Sequence, residues 1–173
     1  MCEPESIHVI AEGKYIRLIN KAGWEYVERL GISGIVGIAA VTDEGNILLV
    51  EQYRPALAKH VIELPAGLAG DAPEFDGEDL SSAARRELLE ETGYSASTMD
   101  FICEGPPSSG MSSEMITLFK ASGLKKVTAG GGDETEELML YEIPVDGIHQ
   151  WLEHQRSSGK LIDLRIYTAL YFV

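Results

Sequence analysis

A helix that gathers its carboxylates near its end constrains this chain more than any other feature. The residues DLSSAARRELLEETGY open on Asp79, whose side chain can cap the first free backbone amides, and close on Gly93 and Tyr94. Gly93 stands where a helix C-terminus favours positive φ, so the pattern predicts a helix from about Leu80 to Thr92. On that helix Glu87, Glu90 and Glu91 are spaced i, i+3 and i+4, which puts three carboxylates on one face within a turn. Arg86 can balance Glu90 at i+4, but Glu87 and Glu91 remain a like-charged pair that mildly destabilises the helix. No lysine lies between Lys59 and Lys120. A hard divalent cation takes oxygen ligands and turns the penalty into affinity. The competing interpretation is a charged face lying in water, the ordinary fate of a charge run.

The rest of the chain reads as strands with a few helices. The first thirty residues alternate in strand fashion and break at Gly13 and at Lys21-Ala22-Gly23, which predicts a small antiparallel meander. IVGIAAVTDEGNILLVEQY places two β-rich runs around Asp43-Glu44-Gly45-Asn46, a hairpin signal. A short strand spans Val61 to Leu64, and residues 67 to 78 read as a Gly/Pro/Asp-rich loop. Further strands are expected at Asp100–Glu104, Met115–Ala121 and Leu138–Ile143, and helices at Val145–Arg156 and Leu161–Phe172. With no repeat or low-complexity linker, the expectation is one mixed α/β domain over residues 1–173.

Charge narrows the partners. The formal net charge of −14 argues against a nucleic-acid surface, because phosphate backbones recruit Lys and Arg. An anionic substrate then needs metal ions or local arginines. Cys2 and Cys103 belong to no metal-ligand spacing, and free thiols fit a cytoplasmic protein. MCEPESIHVI is acidic and carries no long apolar stretch, so no signal peptide is expected there, and GISGIVGIAAV is too short to span a bilayer.

The spacing around the helix carries a resemblance. GEDLSSAARRELLEETGY places Glu78 eight residues before Arg86 and continues Arg-Glu-Leu-Leu-Glu-Glu-Thr-Gly-Tyr. It closely resembles the box of the Nudix family, G-x5-E-x7-R-E-U-x-E-E-x-G-U with U bulky and apolar. Glu78, Arg86, Glu87, Glu90, Glu91 and Gly93 occupy its fixed positions; a chance match is on the order of one in a hundred thousand at average residue usage. The opening glycine of the box is displaced: Ala72 stands at its position, and Gly67 of ELPAG is the substitute, followed by a longer loop.

The resemblance implies an α/β fold, a Nudix-type α/β/α sandwich with a mixed sheet and an N-terminal antiparallel strand region. It implies hydrolysis of a diphosphate with Mg2+, or Mn2+ in its place. Glu87 and Glu91 become the main metal ligands, Glu90 coordinates or bridges, and the backbone carbonyl of Ala66 is a further ligand. Arg86 orients the carboxylates. The ADP-ribose-hydrolysing branch often takes its general base from a loop before a late strand. GGGDETEEL is such a loop, its three glycines read as a source of mobility, and its resemblance to the branch favours Glu134, with Glu136 and Glu137 as substitutes.

Four segments resemble that branch. GWEYVER implies Trp24 stacking on adenine and Glu25 hydrogen-bonding it, although Trp24 could equally be core beside Tyr26. EQYRPA implies Arg54 at the phosphates or ribose, and ELPAG precedes the box. SSGMSSE carries Glu114 at the substrate, with Ser109 where the branch has proline. The branch further implies a homodimer to which residues 1–30 contribute. The function expected is hydrolysis of ADP-ribose, or a related nucleoside diphosphate derivative, to AMP and ribose 5-phosphate. The alternatives are hydrolysis of other nucleotide sugars or FAD, and a non-catalytic nucleotide sensor.

Overall fold

The computed structural model describes residues 7–75, 77–132 and 138–173. Strands β1 (Ile7–Glu12), β2 (Ile16–Lys21) and β3 (Trp24–Arg29) form the expected meander, a separate antiparallel sheet in the order β1-β2-β3. The turn between β2 and β3 places Ala22 and Gly23 at φ 53° and 84°, the left-handed geometry of a tight hairpin.

Next come β4 (Gly34–Ala40), β5 (Asn46–Arg54), β6 (Lys59–Glu63), β7 (Ala66–Ala69) and helix α1 (Leu80–Thr92). The chain continues through β8 (Tyr94–Ser95), β9 (Thr98–Gly105), β10 (Ile116–Ser122), β11 (Lys125–Lys126) and β12 (Met139–Pro144). It closes with α2 (Ile148–Ser157), β13 (Leu161–Ile162) and α3 (Leu164–Leu170). One four-stranded sheet runs β7-β4-β10-β9, with β10 parallel to β4 and the other pairs antiparallel. The other runs β12-β5-β6-β13, with β13 parallel to β6.

The layering follows from alternation along the strands. Val36, Ile38 and Ala40 of β4 pack with Ala83, Ala84 and Leu88 of α1, while Ala39 joins Ile148 and Leu152 of α2 and Ile166 and Ala169 of α3. Helices therefore cover both sides of the strands, the expected α/β/α sandwich. Leu88 is fully buried, so its truncation to alanine would cost about 2–5 kcal/mol.

Three local expectations change. The turn at Asp43–Asn46 forms, with Gly45 donating to the Thr42 carbonyl at 2.9 Å, but β4 and β5 part into different sheets and share only the Val41–Ile47 bridge. Both edges of β4 are filled by β7 and β10, which leaves β5 none to pair with. The loop expected over residues 67–78 holds β7, because its backbone completes the ladder to β4, and a single 3-10 turn at Pro73–Phe75. The final helix starts at Leu164, since Leu161 and Ile162 pair with Val61 and Ile62 and Asp163 caps the helix.

Candidate active site

Helix α1 is fixed at both ends. The Asp79 carboxylate accepts from the Ser81 and Ser82 amides at 3.0 and 3.1 Å, and Gly93 ends the helix at φ 74°.

Arg86 joins the carboxylates. Its guanidinium donates to the Leu68 carbonyl at 2.9 Å and pairs with Glu78 at 3.2 Å, Glu87 at 2.9 Å and Glu90 at 3.1 Å. It also lies 4.1 Å over the Phe75 ring. Burial works against its charge, but the hydrogen bond to Glu78 and the charge of Glu87 outweigh it and hold the guanidinium further above its ordinary range. Its guanidinium thus ties three box carboxylates to the Leu68 carbonyl of β7.

Glu87 and Glu91 meet the strand that precedes the helix. A Cβ on Gly67 would lie 1.9 Å from the Glu87 carboxyl carbon, so only glycine lets this carboxylate settle on β7. Burial pushes Glu87 up to about 7 against the pull of Arg86, and Glu90 and Asp71 add to the rise. The buried Glu91 carboxylate accepts from the Ala66 amide at 3.0 Å. The structure thus brings Ala66, Arg86, Glu87, Glu90 and Glu91 together, with Gly67 leaving the room that the Glu87 carboxylate occupies.

Among the described residues no three His, Cys, Asp or Glu side chains form a ready-made metal cage. The reason is visible: Glu87 and Glu90 are turned to Arg86, and Glu91 to the Ala66 amide. The donor set is nonetheless all oxygen, with Glu87, Glu90 and Glu91 carried on one face of α1 and Glu91 against the strand at Ala66. These residues fit a hard divalent cation.

The other candidates lie at different distances from this centre. Arg54 pairs with buried Glu63 of β6, at 2.5 Å. Beside them Arg165 is gripped by both carboxylate oxygens of Asp163, which outweigh the burial that opposes its charge, and it also feels Glu63 and Glu91. Sequence reasoning misses Arg165; an Asp-x-Arg start to a helical pattern is its only signal. Glu114 pairs with Arg29 at 2.8 Å, and both line a cavity of about 410 Å³ with Arg17, Glu28 and Glu104. Leu80 reaches that cavity, whereas the helix carboxylates do not line it. Trp24 is 63% exposed on β3, which removes the core interpretation, and Glu25 is exposed beside it. Glu134, Glu136 and Glu137 lie outside the described residues.

Residues 33–162 match the sequence profile of the NUDIX domain. The chain is 40% identical over 143 residues to the ADP-ribose pyrophosphatase of Bacillus subtilis (strain 168), covering 81% of this chain and 71% of that protein. It is also 40% identical over 124 residues to a methanol dehydrogenase activator of Bacillus methanolicus, covering 71% of this chain but only 64% of the activator's length. Among solved structures an ADP compounds hydrolase shares the fold at a TM-score of 0.68, with 22% identity over 86% of this chain and 80% of that one. A profile match over most of the chain, a fold in common and a complete set of box carboxylates converge on one conclusion: the chain belongs to the Nudix family.

Proposed function

We propose that this chain is a divalent-metal-dependent hydrolase of ADP-ribose, or a closely related nucleoside diphosphate derivative, releasing AMP and ribose 5-phosphate. The observation that carries the proposal is the joining of Glu87 over Gly67, Glu91 on the Ala66 amide and Glu90 through one arginine. The similar Bacillus subtilis protein, named an ADP-ribose pyrophosphatase, supports the substrate class.

Glu87, Glu90, Glu91 and the Ala66 carbonyl would hold the metal, Mg2+ or Mn2+. When bound, such a cation supplies Lewis-acid stabilisation of the diphosphate charge. Arg86 keeps the carboxylates aligned while remaining in its own contacts. Arg54 exchanges its pairing with Glu63 for a phosphate or ribose contact. Glu114, at the cavity rim, orients the substrate. One of Glu134, Glu136 and Glu137 takes the proton of the attacking water.

Trp24 offers adenine an exposed ring. Successive strand residues point to opposite faces, so Trp24 and Glu25 can both reach a base only if it lies along the outer edge of β3. We place a second copy of the chain against this N-terminal sheet, where Ile7, Val9, Ile16 and Trp24 are exposed, and the assembly in the cytoplasm.

The deciding experiment measures AMP release from ADP-ribose with Mg2+, repeated with EDTA and beside FAD, UDP-sugars and GDP-sugars. Metal-dependent release fastest with ADP-ribose supports the proposal. Faster cleavage of another substrate keeps the metal centre and overturns the assignments of Trp24 and Arg54. Absence of any cleavage favours a nucleotide sensor.

A further inference from the structure

The loop that follows β11 closes the end of α1. A helix leaves its last four carbonyls without intrahelical partners. Here the Leu89 carbonyl accepts from Gly93 N at 2.8 Å, Glu90 from Gly132 N at 3.1 Å, and Glu91 from Gly131 N at 2.8 Å. The Thr92 carbonyl accepts from Lys126 Nζ at 2.8 Å, and the Gly93 carbonyl from Val127 N and Thr128 N at 2.8 and 3.1 Å. Apart from the Gly93 amide, each of these partners comes from residues 126–132.

Three consecutive glycines make this possible. Gly130, Gly131 and Gly132 take φ of 70°, 111° and 79°, a run of left-handed backbone that L side chains resist. Gly130 also packs against the helix end: a Cβ there would lie 2.4 Å from the Thr92 carbonyl carbon and 2.6 Å from Gly93 N. A Cβ on Gly131 would meet nothing within 4 Å, so the two glycines share the strain and differ in the contact. The glycines read from the sequence as a source of mobility are here the geometry of a docked bracket.

We infer that residues 126–132 position the metal-binding carboxylates, with Gly130 as the positioning residue. The bracket grips Glu90 and Glu91 through their backbone carbonyls, while the Glu91 side chain is held independently by the Ala66 amide. Displacing the bracket turns the last helical turn and misdirects both carboxylates. The inference rests on the assignment of those carboxylates as metal ligands proposed above.

The test compares Gly130→Ala with Gly131→Ala, using Mn2+ alone as the probe. Mn2+ binding to the substrate-free chain is titrated by electron paramagnetic resonance, with the melting temperature recorded for each variant. Gly130→Ala is expected to weaken Mn2+ binding about tenfold or more and Gly131→Ala by no more than about twofold, although both lose stability through backbone strain. Lys126→Met, which removes the bond to the Thr92 carbonyl together with the looser contacts to Glu142 and the Tyr94 ring, is expected to shift binding the same way by a smaller factor and serves if Gly130→Ala fails to fold. Equal Mn2+ affinity in the two glycine variants, or unchanged affinity in Lys126→Met when Gly130→Ala does not fold, overturns the inference. A wild-type chain that takes up no Mn2+ overturns both the inference and the metal assignment. Mn2+ binding without hydrolysis of any diphosphate removes the proposed function alone, and the comparison of variants still decides the inference.

Discussion

Glu87 rests on Gly67, and the contact shows what spacing alone reveals and what it hides. The helix carboxylates were legible because i, i+3, i+4 spacing fixes a shared face whatever surrounds it. That Gly67 carries the carboxyl depends on β7 crossing beneath α1, a long-range event, and the same is true of Arg165 beside Glu63. The elevated Glu87 has a consequence for pH. The group is protonated in both states below about 4.5; between there and about 7 the unfolded chain has lost a proton that the folded one keeps. Stability of the metal-free protein should therefore fall as pH rises through that window, by on the order of 2 kcal/mol, and the loss is complete above it. Thermal melts in EDTA between pH 4.5 and 8 check this, and Glu87→Gln should remove the slope. Glu91→Gln, which keeps the shape and an acceptor for the Ala66 amide, should lower turnover on the order of a hundredfold or more with the fold retained. Steady-state rates beside circular dichroism decide it, and near wild-type turnover would take Glu91 out of the metal site.

At the scale of elements, local rules placed α1 and its caps well because both lie within one stretch of chain. Asp79 accepts from two amides, so Asp79→Ala should cost about 1 kcal/mol and lower the melting temperature by about 2–4 °C, while the metal affinity at the far end of α1 holds. Differential scanning calorimetry with a metal titration separates the two effects. The β4–β5 turn was legible, but the destination of its strands was not: turn chemistry reports a reversal of direction, and pairing depends on which edges are already taken. The two-residue pair β8–β11 and the parallel strand β13 are too short for a periodic signal.

The molecule as a whole carries a net charge of −14, while its proposed substrate is an anion. Long-range repulsion should slow their encounter at low ionic strength, and salt should relieve it. At saturating metal, kcat/KM for ADP-ribose should rise roughly threefold between about 20 and 200 mM NaCl. A flat or falling profile would mean that local cations such as Arg29, Arg54 and Arg165 dominate the approach. The last helix bears on any attempt to trim the chain. The recognisable family region ends at Ile162, yet Ile166 and Ala169 of α3 are fully buried among residues of α2, β5 and β6. A fragment cut at that boundary would strip the lid from half of the core, remove the Asp163–Arg165 pair beside Glu63, and present a greasy surface to its neighbours. The boundary that similarity draws thus falls short of the boundary that solubility requires.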